Sequence, residues 1–260
     1  MGGPGLERVA PRTRVRYRLA AAETDPLHCA HRTNRSKPQL YAMHERFIAD
    51  ILRNHHNGII LDRWGELALP DGWLVAGCLF QTVWNLQAGR APEADIKDYD
   101  LFYFDSNDPS EAAERRVQAR VHDVLADLGI AVEVSNQARV HVWYESFFGH
   151  PYEQLRTACD GIDRFLVLAT CVGIRPGELY APNGLALLYE GLLTMNPLTP
   201  YRNLFDQKAA SYRARWPWLR IQTPEEGDAL TFLSPDVRPT AFGNDPVVGE
   251  PPIPGASGND

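Results

Sequence analysis

Apolar positions recur along this chain at two periods, and the change from one to the other marks its elements. In "QLYAMHERFIADILRN" the residues Leu40, Met43, Phe47, Ile48, Ile51 and Leu52 fall on one helical stripe, the pattern of a helix laid against a core. "GWLVAG" is a short continuous apolar run closed by Gly77, which predicts a buried strand. "LFQTVWNLQAG" returns to helical spacing, with Leu79, Val83 and Leu86 on one face and Gly89 as the C-cap. "KDYDLFYFD" is rich in aromatic residues and predicts a strand. "SEAAERRVQARVHDVLADLG" aligns Val117, Val121, Val124, Leu125 and Leu128 as an amphipathic helix. Beyond it "IAVEVSN" and "ARVHVWY" alternate with period two and predict two strands, and "GLALLYEGLLTMN" predicts a buried helix. The order is that of an α/β or α+β protein without internal repeats.

One strand carries more charge than its setting explains. Asp98 and Asp100 are two residues apart, so both project from one face with Cα atoms roughly 6.6 Å apart. Two like charges at the edge of a core are unfavourable unless a cation, a hydrogen-bond network or a protonation shift relieves them. Acids also gather at strand ends simply to stay solvated, and a lone D-x-D does not separate the two explanations. Glu133, between Val132 and Val134 on the next predicted strand, is a third carboxylate with its own solvent-facing alternative. Gly77 ends a strand and opens a helix, where backbone N–H groups and the helix dipole favour a phosphate and where no β-carbon blocks its approach. Magnesium commonly combines one or two carboxylates with substrate phosphates, so this order of residues suits a metal–nucleotide site.

Composition narrows the setting. With 260 residues and 44% hydrophobic content the chain can bury a sizeable core. Residues 1–38 hold eight Lys/Arg against three acids, a net of +5, leaving eighteen against thirty, a net of −12, for the rest. An acidic body argues against non-specific binding of duplex DNA. The first segment reads as a flexible basic tail, with a transit-like segment or an upstream start codon as alternatives. Residues 39–223 are expected to form the folded domain, and the Pro/Gly-rich residues 224–260 read as disordered. Cys29, Cys78, Cys159 and Cys171 lack metal or disulfide spacing, so a reducing cytoplasm is expected. No apolar run is long enough for a membrane span.

The segments "AGCLFQTVWNLQAG", "DYDLFYFD", "VEVSNQARVHVWYESFFG", "VGIRP" and "APNGLALL" resemble the polymerase β-like nucleotidyltransferase superfamily, and more closely a group of bacterial nucleotidyltransferase family proteins, over roughly residues 43–220. The resemblance implies a nucleotidyltransferase-like mixed sheet flanked by helices, with a small helical C-terminal part. By the same likeness Gly77 matches the glycine of the nucleotide-binding turn, Asp98 and Asp100 the metal-binding pair, and Glu133 the third carboxylate. Cys78 stands where relatives usually carry Gly or Ser, and its thiol is a weaker donor than a hydroxyl.

The implied chemistry moves a nucleoside monophosphate from a nucleoside triphosphate, ATP among them, to a hydroxyl of an unidentified small-molecule, RNA or protein acceptor. Pyrophosphate leaves, and Mg²⁺ or Mn²⁺ assists. Asn136, Gln137 and Arg139 are candidates for the acceptor cleft. His141 and Trp143 are expected to share a strand face, as packing or as cleft lining. Lys208, Arg213 and Arg215 read as a solvated helix face within reach of a triphosphate, and the adjacent His55 and His56 as a solvated helix end. A D-x-D glycosyltransferase using a nucleotide sugar, and a non-catalytic nucleotide-binding or protein-interaction domain, are the competing classes.

Overall fold

The computed structural model describes residues 18–19 and 37–222. Apart from Arg18–Leu19 and the start of the first helix, the two tails read from the sequence, 1–38 and 224–260, lie outside the described residues. The elements are β1 (Arg18–Leu19), α1 (Lys37–Ile51), α2 (His55–Asp62), α3 (Trp64–Leu67), β2 (Trp73–Val75), α4 (Gly77–Gln87), β3 (Asp98–Tyr103), α5 (Glu111–Leu125) and β4 (Ala131–Asn136). They continue with α6 (Val140–Phe148), α7 (Ala158–Asp163), β5 (Gly173–Arg175), β6 (Glu178–Tyr180), α8 (Ala186–Glu190), β7 (Leu192–Thr194), α9 (Arg202–Arg215) and β8 (Arg220–Gln222).

The main sheet is mixed, in the order β1-β6-β5-β2-β3-β4, with β7 and β8 paired separately. β2 is central and buried at all three positions, as its unbroken apolar run predicts. β3 runs antiparallel to β2 and parallel to β4, and the parallel pair is joined by the amphipathic α5. Tyr99, Leu101 and Tyr103 enter the core from one face of β3, which leaves Asp98, Asp100 and Phe102 on the other. Helices flank the sheet: Phe47 and Ile51 of α1, Cys78, Leu79 and Val83 of α4, and Val121 and Leu125 of α5 all reach the core.

The C-terminal helix docks through aromatic rings. Trp84 of α4 lies 5.2 Å from Tyr212 and 5.3 Å from Trp216, measured between ring centroids. The ring nitrogens are satisfied as well: Trp84 Nε1 donates to the Leu188 carbonyl at 3.1 Å, and Trp216 Nε1 to Asn85 Oδ1 at 3.1 Å. This packing, with Tyr212 also 5.4 Å from Phe80, holds α9 along α4.

Two sequence expectations are overturned. "ARVHVWY" is not a strand: Asn136 accepts a hydrogen bond from the Ala138 amide, a 3-10 turn follows over Gln137–Arg139, and α6 begins at Val140. Val140 is buried while Val142 is 66% exposed, so the two valines do not share a face as period two requires. A side-chain cap overrides the β-preference of Val, Trp and Tyr. "GLALLYEGLLTMN" gives only the short α8, which stops at Gly191 with φ 67°, and the chain re-enters a sheet as β7. A Cβ at Gly191 would lie 2.1 Å from Trp218 Cζ3. Gly191→Ala combines that clash with a left-handed backbone, so chemical denaturation should show a loss of roughly 1–3 kcal/mol.

Candidate active site

Three segments converge on one cleft of about 270 Å³. The turn from β2 into α4 supplies Ala76, Gly77 and Phe80, β3 supplies Asp100 and Phe102, and β4 with its continuation supplies Glu133, Ser135 and Gln137. Lys208 and Tyr212 of α9 and aromatic residues of α6 complete the lining.

The turn is unusual in its backbone. Ala76 adopts φ 58° and ψ −135°, a conformation that L residues rarely take, and Gly77 opens the helix behind it. The strained residue turns the chain from β2 into α4 at the rim of the cleft, and a helix terminus favours an anion. A Cβ at Gly77 would stand 2.5 Å from Gln81 Nε2, so glycine also makes room for that buried side chain. Cys78 is fully buried and outside the cleft lining; its thiol donates to the Val75 carbonyl at 3.2 Å. Burial pushes that thiol's pKa well up, and the negative charges of Asp100 and Asp98 push it further.

Asp100 and Glu133 are register partners on adjacent parallel strands, on the face opposite the core tyrosines of β3. Adjacent strands are about 4.8 Å apart, so the two carboxyl groups are neighbours. Asp98 pairs in register with Ala131, one step back along the same face, and lies outside the cleft lining. Among the described residues no group of three or more His, Cys, Asp or Glu side chains is gathered as a metal cluster. Two neighbouring carboxylates at a phosphate-favouring turn nevertheless fit magnesium, which takes oxygen donors and draws its remaining ligands from water and substrate phosphates.

Of the acceptor-cleft candidates, Gln137 lines the cleft, whereas Asn136 and Arg139 are buried structural residues. The Asn136 amide side chain bridges to the Asp105 backbone, and Arg139 forms an ion pair with Glu114. His55 is bonded to Glu93 at the exposed start of α2, while His56 is partly buried against Tyr99. Lys208, read from the sequence as a solvated position, lines the cleft. Its signal was tertiary: Tyr212, one turn on, packs on Phe80 at 5.4 Å and turns that face of α9 inward. Trp143, Tyr144 and Phe148 were concealed by the strand reading of α6, since only helical spacing puts them on one side.

A family model described as Nucleotidyltransferase matches residues 62–221. No curated protein matches this sequence. A solved NMR structure described as revealing a CCA-adding enzyme head domain is similar, with a TM-score of 0.53 and 21% identity over 64% of this chain and 88% of that one. At that identity the likeness shows the fold. No helix among the described residues is long and apolar enough to cross a membrane.

Proposed function

Because the chain belongs to this nucleotidyltransferase family, we propose that it transfers a nucleoside monophosphate from a nucleoside triphosphate such as ATP to an acceptor hydroxyl, with release of pyrophosphate. The observation that carries this reading is the pairing of Asp100 with Glu133 in one cleft whose rim is the Gly77 helix start. The amides of that helix start would cradle the phosphates, and Lys208 would neutralise their charge. Asp100 and Glu133 would hold Mg²⁺ or Mn²⁺, with Asp98, one step back on the same face of β3, as the third carboxylate. Such an ion, when bound, lowers the pKa of the attacking hydroxyl and offsets charge on the phosphates. Glu133, on the outermost strand of the three, would accept the hydroxyl proton. The apolar side of the cleft excludes water that would otherwise compete with the acceptor. In-line transfer asks for little further covalent chemistry from the protein, so positioning and charge supply most of the rate. The free thiols of Cys78, Cys159 and Cys171 support a reducing setting such as the cytoplasm.

Isothermal titration of the full chain with each nucleoside triphosphate tests the binding half of this reading. Binding is expected with Mg²⁺ or Mn²⁺ and should disappear when EDTA removes the metal. Metal-dependent binding of a nucleotide sugar, with none of a triphosphate, would replace this reading with the glycosyltransferase one.

A further inference from the structure

The far side of the cleft is built for a flat ring. Trp143, Tyr144 and Phe148 of α6, Tyr152 beyond it, and Phe102 with Phe165 line that side. The rings brace one another, with centroids 4.2 Å apart for Tyr144 and Tyr152, 4.6 Å for Tyr144 and Phe148, and 5.7 Å for Phe102 and Phe165. Trp143 is only partly buried within this group. Burial holds the Tyr144 phenol up at about 12, so it is neutral at physiological pH. The nearby cation is engaged: Arg164 donates to Glu153 at 2.6 Å and lies over the Tyr152 ring at 5.3 Å. Two polar side chains, Ser135 and Gln137, border the aromatic surround. Gln137 is 2% exposed, and its amide donates to Ser135 Oγ at 3.2 Å.

Position across the sheet says which substrate meets this wall. The phosphate-favouring turn follows β2, Asp100 is on β3, Glu133 and Ser135 are on β4, and α6 follows β4. Lys208 sits on the turn's side, since Tyr212 beside it packs on Phe80. In-line displacement sets the attacking oxygen opposite the departing pyrophosphate, so an acceptor enters from the β4 side. There its oxygen would form a bond to the α-phosphorus as the bridging bond to the β-phosphate breaks. The electron pair leaves with pyrophosphate, and the hydroxyl proton passes to Glu133.

We propose that the acceptor is a small uncharged molecule carrying its hydroxyl beside a planar aromatic ring, stacked on Trp143 with Ser135 and Gln137 orienting the hydroxyl. This acceptor class rests on the nucleotidyl-transfer reading above. A polynucleotide end is disfavoured because residues 39–260 carry a net charge of −12, whereas strand binding needs a basic track along the backbone.

The test uses the full chain and four probes: naphthalenemethanol, its fully saturated counterpart, adenosine and a short single-stranded RNA. Tryptophan emission, compared between wild type and Trp143→Phe, reports binding, and labelled ATP with Mg²⁺ reports transfer. Naphthalenemethanol should bind roughly tenfold more tightly than its saturated counterpart, a difference of the size that stacking supplies. Trp143→Leu should raise the KM for the aromatic alcohol about tenfold and leave the KM for ATP unchanged, while Trp143→Phe retains most of the affinity. Labelled adenosine would support the same ring chemistry in a nucleoside. Equal binding of the saturated alcohol, or transfer to RNA in preference to every small alcohol, would overturn this acceptor class alone. Ring binding lost in Trp143→Leu with no transfer to any probe would instead sink the nucleotidyl-transfer reading and leave the ring subsite standing.

Discussion

Asp100→Asn is expected to lower nucleotidyl transfer roughly 10³-fold while the protein stays folded. Asn keeps the size of Asp and removes its charge, and loss of an anionic metal ligand forfeits several kcal/mol of charge stabilisation in the transition state, each 1.36 kcal/mol of which is tenfold in rate. Asp100 is only partly buried, on a strand whose core contacts come from Tyr99, Leu101 and Tyr103, so the substitution leaves the packing intact. Asp105→Asn is the control. Asp105 lies beyond the end of β3, where its carboxylate accepts from the Asn107 amide in a local turn. Metal titration and initial rates on the two variants check the difference. Equal retention of activity in both would make Asp100 an ordinary solvated strand residue.

The largest stability effect is expected at Arg139, which the sequence reading had placed in the acceptor cleft. Its guanidinium pairs with Glu114, and the two side chains are 8% and 3% exposed. Glu114 Oε1 also accepts from the Asn136 amide at 2.8 Å, and Arg139 Nε donates to the Pro109 carbonyl at 3.2 Å. Together these bonds tie the end of β4 to α5. Arg139→Ala leaves a buried carboxylate without its cation, which typically costs about 3–5 kcal/mol. Urea denaturation should show that loss. The double variant Glu114→Leu/Arg139→Leu should recover part of it, since no charge then stays buried alone, although the Asn136 amide still lacks its acceptor. A loss below about 1 kcal/mol for Arg139→Ala would mean that the pair is solvated and does not lock β4.

What could be read from the sequence was whatever local spacing decides. The stripe from Met43 to Ile51, the unbroken run Trp73–Val75 and the alternation of Asp98–Tyr103 each state their own periodicity, and each formed the expected element. The carboxylates Asp100 and Glu133 were legible because a strand period fixes the face of each, and the β3–β4 register then set them side by side. The reading failed where a single residue changed the backbone. Asn136 capped a helical turn in front of a β-prone run, and Gly191 stopped a helix that its apolar residues would have continued. Lys208 and the aromatic wall were hidden for a different reason. Their roles depend on α9 docking against Trp84 and on α6 turning its aromatic side chains into the cleft after β4, contacts between segments that no local pattern encodes.

The most direct measurement follows the phosphorus. The full chain is incubated with Mg²⁺, a cell extract and ATP labelled at the α-phosphate in one reaction and at the γ-phosphate in another, with Asp100→Asn run in parallel. Nucleotidyl transfer predicts α-label joined to an acceptor, γ-label in pyrophosphate, and neither change with Asp100→Asn. Movement of the γ-label onto an acceptor, or α-label transfer undiminished in Asp100→Asn, would contradict the assignment of this cleft.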